Sequence, residues 1–393
     1  MSESVFEAII IGAGSTGSSI AFYLAKKGVS NVLLIDKGRI GQGMTGRSTG
    51  IVRLHYSNPS VMDMAVYSWR IIRNFQEEVY EEFKVFHQIG FAIGGGSEDI
   101  DEIKAVVKRQ KSLGLNVKLL DPEEAKEIIP FLNSEGLEII AYEPESGYAD
   151  PVDTAVGYAK AAEDMGVKVL EDTLVERFKV EGNSIKEVIT NRGSFRARYV
   201  INATGVWTLD LASKLNIKLP ITLVRDDILV LERKGDIIGE HPVWADLKLG
   251  FYMRAEGKTK TLMGALDATD TKGIPPDRLG YTIPLETIDR YSKMVITRFP
   301  EFQHAKATGG WPGYYDITPD WQPIVGFDLK YENLIHCVGL SGHGFKLSPA
   351  FGDIVSDLII SGVSKRFNIN VFNPLRFEKG ISEESVYKYK IIG

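Results

Sequence analysis

The chain has 393 residues, 44% of them hydrophobic and 25% charged, and its 46 basic against 52 acidic side chains leave a net charge of −6. A length suited to two or three domains, with apolar residues throughout, excludes a disordered polypeptide, and the lack of a basic block argues against a nucleic-acid partner. The single cysteine, Cys337, excludes an intrachain disulfide and a cysteine-rich metal centre, the scattered histidines suggest no metal site, and no run of 18 apolar residues marks a membrane span. The opening residues have no basic, apolar leader, and the protein reads as cytoplasmic.

The first apolar run, 8–11, has the character of a buried parallel strand and leads into Gly12-Ala13-Gly14-Ser15-Thr16-Gly17. A helix over 14–27 follows, ended by Gly28, and a second strand over 31–35 finishes at Asp36-Lys37. In that setting Gly12 permits the tight turn, Gly14 a close approach of backbone to a pyrophosphate, and Gly17 close packing of helix on strand. The helix start offers free N–H groups to phosphates, and Asp36, 19 residues past Gly17, has the spacing of an acid that binds ribose hydroxyls. A dinucleotide site is expected here.

A glycine-rich stretch over 38–56 comes next, and Pro59 opens a helical pattern through Val61, Met64, Trp69, Ile72 and Val79. Asp121-Pro122 and Asp150-Pro151 each read as an N-cap with proline at the first helical position. Strands are expected over 167–170, 175–179, 185–190 and 194–198, with a further buried strand over 199–202 running into Ala203-Thr204-Gly205, and the 218–308 region is strand-rich. A strand over 334–338, a glycine turn over 339–346 and a helix over 348–360 follow, and then a polar tail over 374–393, read as a partner-docking segment or a disordered end. More than 300 residues separate the two glycine turns, which points to both ends of the chain building one site. That arrangement favours FAD over a nicotinamide cofactor, although a nicotinamide-dependent dehydrogenase stays open as the alternative class.

The stretches IIIGAGSTG, GRSTGIVRLHY, LLDPEEA, VINATGVWT, WPGYYDITPDWQPIVG and VGLSGHGFKLSPAFGDIVSDLI resemble the D-amino-acid-oxidase-like FAD-dependent oxidoreductases. Within that family the chain looks most like the β subunits of sarcosine oxidase and archaeal L-proline dehydrogenase, the latter also through NPLRFEKG. The resemblance implies an α/β fold: a glutathione-reductase-like, Rossmann-like FAD-binding domain over 1–82, 149–217 and 318–364, interwoven with an α+β substrate domain over 83–148 and 218–317 that carries a large mixed or antiparallel sheet, and a tail over 365–393. It implies that FAD lies on Gly12, Gly14, Ser15, Thr16, Gly17, Asp36 and Lys37, passes Thr45, Arg47, Ser48 and Thr49, and meets Val175 at its adenine and Ala203, Thr204 and Gly205 beyond. Gly342, His343, Gly344, Phe345 and Lys346 would face the flavin, and a cation in that first helical turn runs against the helix dipole unless an anion sits there.

The resemblance further implies that Arg53 and Lys346 grip a substrate carboxylate, that Tyr252 stands beside the substrate, and that His55 and Tyr56 line the same cavity. Gly313 replaces the cysteine that carries FAD in monomeric sarcosine oxidase, so FAD is expected to be non-covalent. Gly50 stands where that enzyme has a substrate-loop arginine. Of Lys258, Lys260 and Lys272, none matches the lysine that promotes reaction with oxygen. The implied reaction is oxidation of a small amino acid or N-methyl amino acid by hydride transfer to flavin N5, giving an imine that hydrolyses. The implied partners are that substrate and either further copies of the chain or, as in L-proline dehydrogenase, subunits that take the electrons.

Overall fold

The computed structural model describes residues 5–129, 131–234, 237–267, 269–270, 275–278, 280–381 and 386–392. The first apolar run forms strand β1 (Phe6–Ile11), followed by helix α1 (Ser15–Lys26) and strand β2 (Val32–Ile35). These strands are the centre of a six-stranded sheet ordered Ile324–Phe327, Leu334–Val338, Ala197–Asn202, β1, β2, Lys168–Leu170. All neighbours are parallel except Ile324–Phe327, which runs antiparallel at the edge. Continuous apolar sequence suits strands covered on both faces. One face of β1 packs Ala8 and Ile10 under the helices, and the other packs Ile9 and Ile11 against Val175, Ile185 and Val188 of a small antiparallel sheet.

Three helices cover the first face: α1, Pro151–Asp164 and Gly344–Ser361. The last helix lies directly on the first. A Cβ at Gly352 would come within 2.4 Å of Ser19 Oγ, and the Ser19 hydroxyl donates to the Ser348 carbonyl at 2.8 Å. Leu347, Phe351, Ile354, Val355 and Leu358 of that helix are buried, at roughly 1.5–3 kcal/mol each. The two ends of the chain are thus one packed layer.

The proline-led caps form as expected. The Asp121 carboxylate accepts from the Glu123 and Glu124 amides, and Asp150 accepts from the Asp153 amide. The helix from Pro59 is shorter than its apolar spacing suggests. It ends at Arg73 because Asn74 leaves helical geometry (φ −109°, ψ 36°), and a separate short turn, Phe75–Glu78, buries Phe75.

The strand-rich middle forms a second, nine-stranded mixed sheet. Its long Thr222–Glu232 strand pairs antiparallel with Lys306–Ile317, which places Asp226 opposite Gly313. Among the described residues its one parallel pair joins Phe91–Gly95 to Val243–Asp246. Trp244, Phe251 and Met263 pack beneath Tyr291 and Val295 of the helix Leu285–Arg298 and beneath Phe299 and Phe302 after it, and a buried Arg298–Asp246 pair (2.6 Å) fixes the helix on the sheet.

The tail corrects the reading of a loose polar end. Arg376 is 1% exposed and grips Asp320 with two hydrogen bonds (2.7 and 3.0 Å). Residues 386–392 then return to the core and bury Tyr387, Ile391 and Ile392. These three side chains give the segment an inward face that its two lysines, Lys388 and Lys390, conceal. Among the described residues, no helix is long and apolar enough to cross a membrane.

Candidate active site

A cavity of about 1110 Å³ extends from the first glycine turn to the second sheet, large enough for a dinucleotide with a small substrate. At its first end the turn is built of positions where side chains do not fit. Gly12 has φ +106°, and its Cβ would lie 2.4 Å from the Ala203 carbonyl; a Cβ on Gly17 would lie 1.8 Å from the Gly12 carbonyl. Gly17 therefore sits beneath the turn, off the cavity wall, while Gly12, Gly14, Ser15 and Thr16 line it. The first turn of α1 holds no acidic residue, and Thr45 Oγ1 accepts from the Ser15 amide at 3.0 Å. A helix start of this kind favours an anionic ligand.

Asp36 braces the turn. Its carboxylate accepts from the Ala13 amide (2.7 Å) and the Gly38 amide (2.8 Å). Burial raises its pKa against those bonds and the nearby Lys37. Lys37 lines the cavity while paired with Asp277 (2.5 Å) over the Trp207 ring (4.3 Å). Val175 and the Ala203, Thr204, Gly205 turn complete this end, with the Thr204 hydroxyl donating to Asn202 Oδ1 at 2.7 Å.

The segment with Thr45, Arg47, Ser48 and Thr49 runs along the cavity and is tied to the second sheet. Arg47 donates to the Pro312 carbonyl (2.8 Å), the Trp311 indole donates to the Arg47 carbonyl (2.9 Å), and Arg254 donates to the Thr49 carbonyl. Gly50 has φ +67°, and its Cβ would meet the Ala149 carbonyl at 2.1 Å, so the backbone itself excludes an arginine there.

At the far end, Gly342, Gly344, Phe345 and Lys346 line the cavity with Arg53, Tyr252 and three residues sequence reasoning missed: Asp226, Tyr315 and Ile391. Arg53 is 5% exposed, lies 4.0 Å over the Tyr56 ring, and donates to the His55 carbonyl and, at 3.0 Å, to the Ile391 carbonyl. Lys346 reaches the Gly342 carbonyl at 3.5 Å and lies 6.0 Å over the Tyr56 ring. Neither cation has a carboxylate within 4.0 Å among the described residues. Burial first, and Arg53 second, pull the Lys346 pKa well below its ordinary value. Tyr252 and Tyr315 both donate to Asp226 Oδ2 at 2.7 Å.

Two expected lining residues, and the neighbouring His343, lie off the wall. His55 is fully buried behind the cavity, where its Nε2 shares a hydrogen bond with the Tyr387 hydroxyl (2.7 Å) and burial lowers its pKa to about 3. Tyr56 is buried beneath Arg53. His343 packs edge-on against Tyr56 at 5.4 Å, and burial holds it neutral. Nearness to Arg53 in sequence does not carry into the cavity, because the chain leaves the strand at Val52 and His55 and Tyr56 turn inward to Tyr387 and His343. Lys258 and Lys260 are exposed and off the cavity wall, and Lys272 lies outside the described residues.

A nucleotide-binding turn opening onto a buried cationic pocket is the build of a flavin-dependent oxidoreductase. The chain belongs to the DAO family, FAD dependent oxidoreductases, whose model matches residues 7–358. Its cofactor is FAD, which sets aside the nicotinamide alternative. It is 27% identical over 368 residues to sarcosine oxidase subunit beta of Rhodobacter capsulatus, covering 91% of this chain and 86% of that one. It is 25% identical over 387 residues to human mitochondrial dimethylglycine dehydrogenase, covering 95% of this chain but 44% of the relative, so it spans less than half of that protein. Among solved structures, L-proline dehydrogenase from P. horikoshii superposes with a TM-score of 0.88 at 29% identity, covering 97% of this chain and 100% of that one.

Proposed function

We propose that the protein oxidises a small amino acid or N-methyl amino acid at the carbon bonded to nitrogen, releasing an imine that water hydrolyses. The observation that carries this reading is the pair Arg53, buried, and Lys346, half-buried, both on the cavity wall and without a carboxylate partner among the described residues. Two desolvated cations repel each other and are costly unless an anion joins them. A substrate carboxylate meets that need. Arg53 has five N–H donors, two of them engaged with backbone carbonyls, so its remaining donors are free to grip a carboxylate while Lys346 adds a point charge.

FAD, when bound, supplies the two-electron acceptor. Ser15, Thr16 and the α1 N-terminus would hold its phosphates, Asp36 its ribose and Val175 its adenine, while the N-terminus of Gly344–Ser361, free of acidic residues in its first turn, would favour negative charge on the ring system. Neither cysteine nor histidine lines the cavity, and Cys337 is 1% exposed in its strand, which supports non-covalent FAD. Phe91, Phe345, Ile391 and Ile392 exclude water around the reacting carbon. Positioning does most of the work, since an oriented substrate needs no strong base once its amine is neutral.

The test is anaerobic addition of sarcosine, L-proline, glycine and D-amino acids to the purified yellow protein. At least one is expected to bleach the flavin band fully. Failure of every amino acid, with bleaching by dithionite intact, refutes the reading. Likeness to a sarcosine oxidase β subunit over 91% of this chain favours one further reading, a flavin subunit that passes its electrons to partner subunits. Turnover of the isolated chain with an artificial dye but not with oxygen is the outcome expected of it.

A further inference from the structure

We propose that Asp226 recognises the amine of the substrate, so that the cavity takes an amino acid as a zwitterion, with its acid end on Arg53 and Lys346 and its nitrogen on Asp226. This rests on the reading of the pocket as an amino-acid site and adds the element that distinguishes amines from other carboxylates.

Asp226 is 4% exposed and lines the same cavity as the two cations. Its Oδ2 accepts from the Tyr252 and Tyr315 hydroxyls, at 2.7 Å each, which fixes the carboxylate's orientation. Among the described residues its buried Oδ1 accepts no well-formed hydrogen bond, although the Ala265 amide lies near enough to the carboxylate to lower its pKa. A buried carboxylate held only by hydroxyl and amide donors is costly unless a positive group arrives beside it. No basic side chain pairs with Asp226 among the described residues, so a cationic ligand group supplies what the protein does not. Burial pushes its pKa up to about 6, opposed by the two tyrosines and the Ala265 amide, which leaves it anionic at neutral pH.

The Gly342 turn brings the acid and the cations to one place. A Cβ on Gly342 would lie 3.5 Å from Tyr315 Cε1 and 3.2 Å from the Ile391 side chain. Tyr315 holds Asp226, the Ile391 carbonyl holds Arg53, and Lys346 reaches the Gly342 carbonyl. The residues that hold the acid and those that hold the cations therefore pack on a single turn, and both charges line one cavity. On the strand, Asp226 faces this cavity while Asp227 pairs with Arg225 (2.7 Å).

The experiment compares amines with isosteres that carry oxygen in place of nitrogen. Sarcosine, methoxyacetate, L-proline and tetrahydrofuran-2-carboxylate are titrated by calorimetry into dithionite-reduced holoenzyme, which cannot oxidise them. Asp226→Asn keeps an acceptor for both tyrosines and removes only the charge. It is expected to weaken sarcosine and L-proline roughly 10- to 100-fold, leave the oxygen isosteres within about threefold, and leave FAD content unchanged. Asp226→Glu is expected to restore the preference for amines. An equal loss for amines and isosteres, or no loss, overturns the assignment. If the wild type binds none of the four, the amino-acid reading itself fails, and this assignment with it. Should the Asn variant not fold, the wild type alone decides. Its preference for sarcosine over methoxyacetate should fall as pH drops through about 6, where Asp226 gains a proton. Of the groups facing it, Tyr252, Tyr315 and Tyr291 are pushed upward and away from that range, and Asp227 is engaged by Arg225. A preference flat with pH overturns the assignment.

Discussion

Replacing Arg53 by alanine should weaken binding of an amino-acid substrate by two to three orders of magnitude while the protein keeps its yellow colour. The side chain offers charge-assisted hydrogen bonds of about 1.5–3 kcal/mol each, and losing two at the lower end of that range amounts to about 3–4 kcal/mol. At about 1.4 kcal/mol per factor of ten, that is roughly 10²- to 10³-fold in affinity. FAD should stay, because the first glycine turn, proposed to hold its phosphates and ribose, is not among the groups Arg53 donates to. Arg53→Lys is the informative companion. It keeps the charge but loses the two-pronged grip, so its loss should be intermediate. The Ala variant also frees the Ile391 and His55 carbonyls, so melting temperature and FAD content must be measured beside affinity. Unchanged affinity for a carboxylate ligand removes the anchor from the account.

The second large effect is at Gly17. Its Cβ would stand 1.8 Å from the Gly12 carbonyl and 3.4 Å from Ala203 Cβ, and both obstacles belong to the turns proposed to hold the cofactor. An alanine there cannot be absorbed by a flexible side chain, so the turn itself must move, at a cost of several kcal/mol. Gly17→Ala is expected to purify colourless, with a lowered melting temperature. Gly239→Ala is the control, since its added methyl would meet nothing within 4 Å, and it should remain yellow. Full FAD occupancy in the Gly17 variant would show that the helix does not need to pack this closely on the strand.

The readable parts of the molecule were those set by local backbone demands. Gly12, Gly14, Gly17 and Asp36 act within one strand-helix-strand unit, so their spacing alone carried the meaning. Asp121-Pro122 and Asp150-Pro151 named their helices because a cap is satisfied within four residues. Arg53 and Lys346 are different. Nearly 300 residues separate them, and only family resemblance put them in one pocket. Asp226 was invisible, because a strand carrying Arg225, Asp226 and Asp227 does not announce which acid turns inward until the partner strand sets its face. Tyr387, Ile391 and Ile392 hid among charged neighbours in the tail. Their burial depends on Arg53 and His55, which supply partners no local pattern contains.

The central claim is that the two ends of the chain close one cavity in which a flavin lies beside a zwitterion site. Its most direct test is an electron-density map of the yellow protein crystallised with methoxyacetate. The account predicts the cofactor's phosphates at the Ser15 turn, its ring system beside the 342–346 turn, and the ligand carboxylate on Arg53 and Lys346. A ring system bound away from that turn, or a carboxylate held by neither cation, would contradict it.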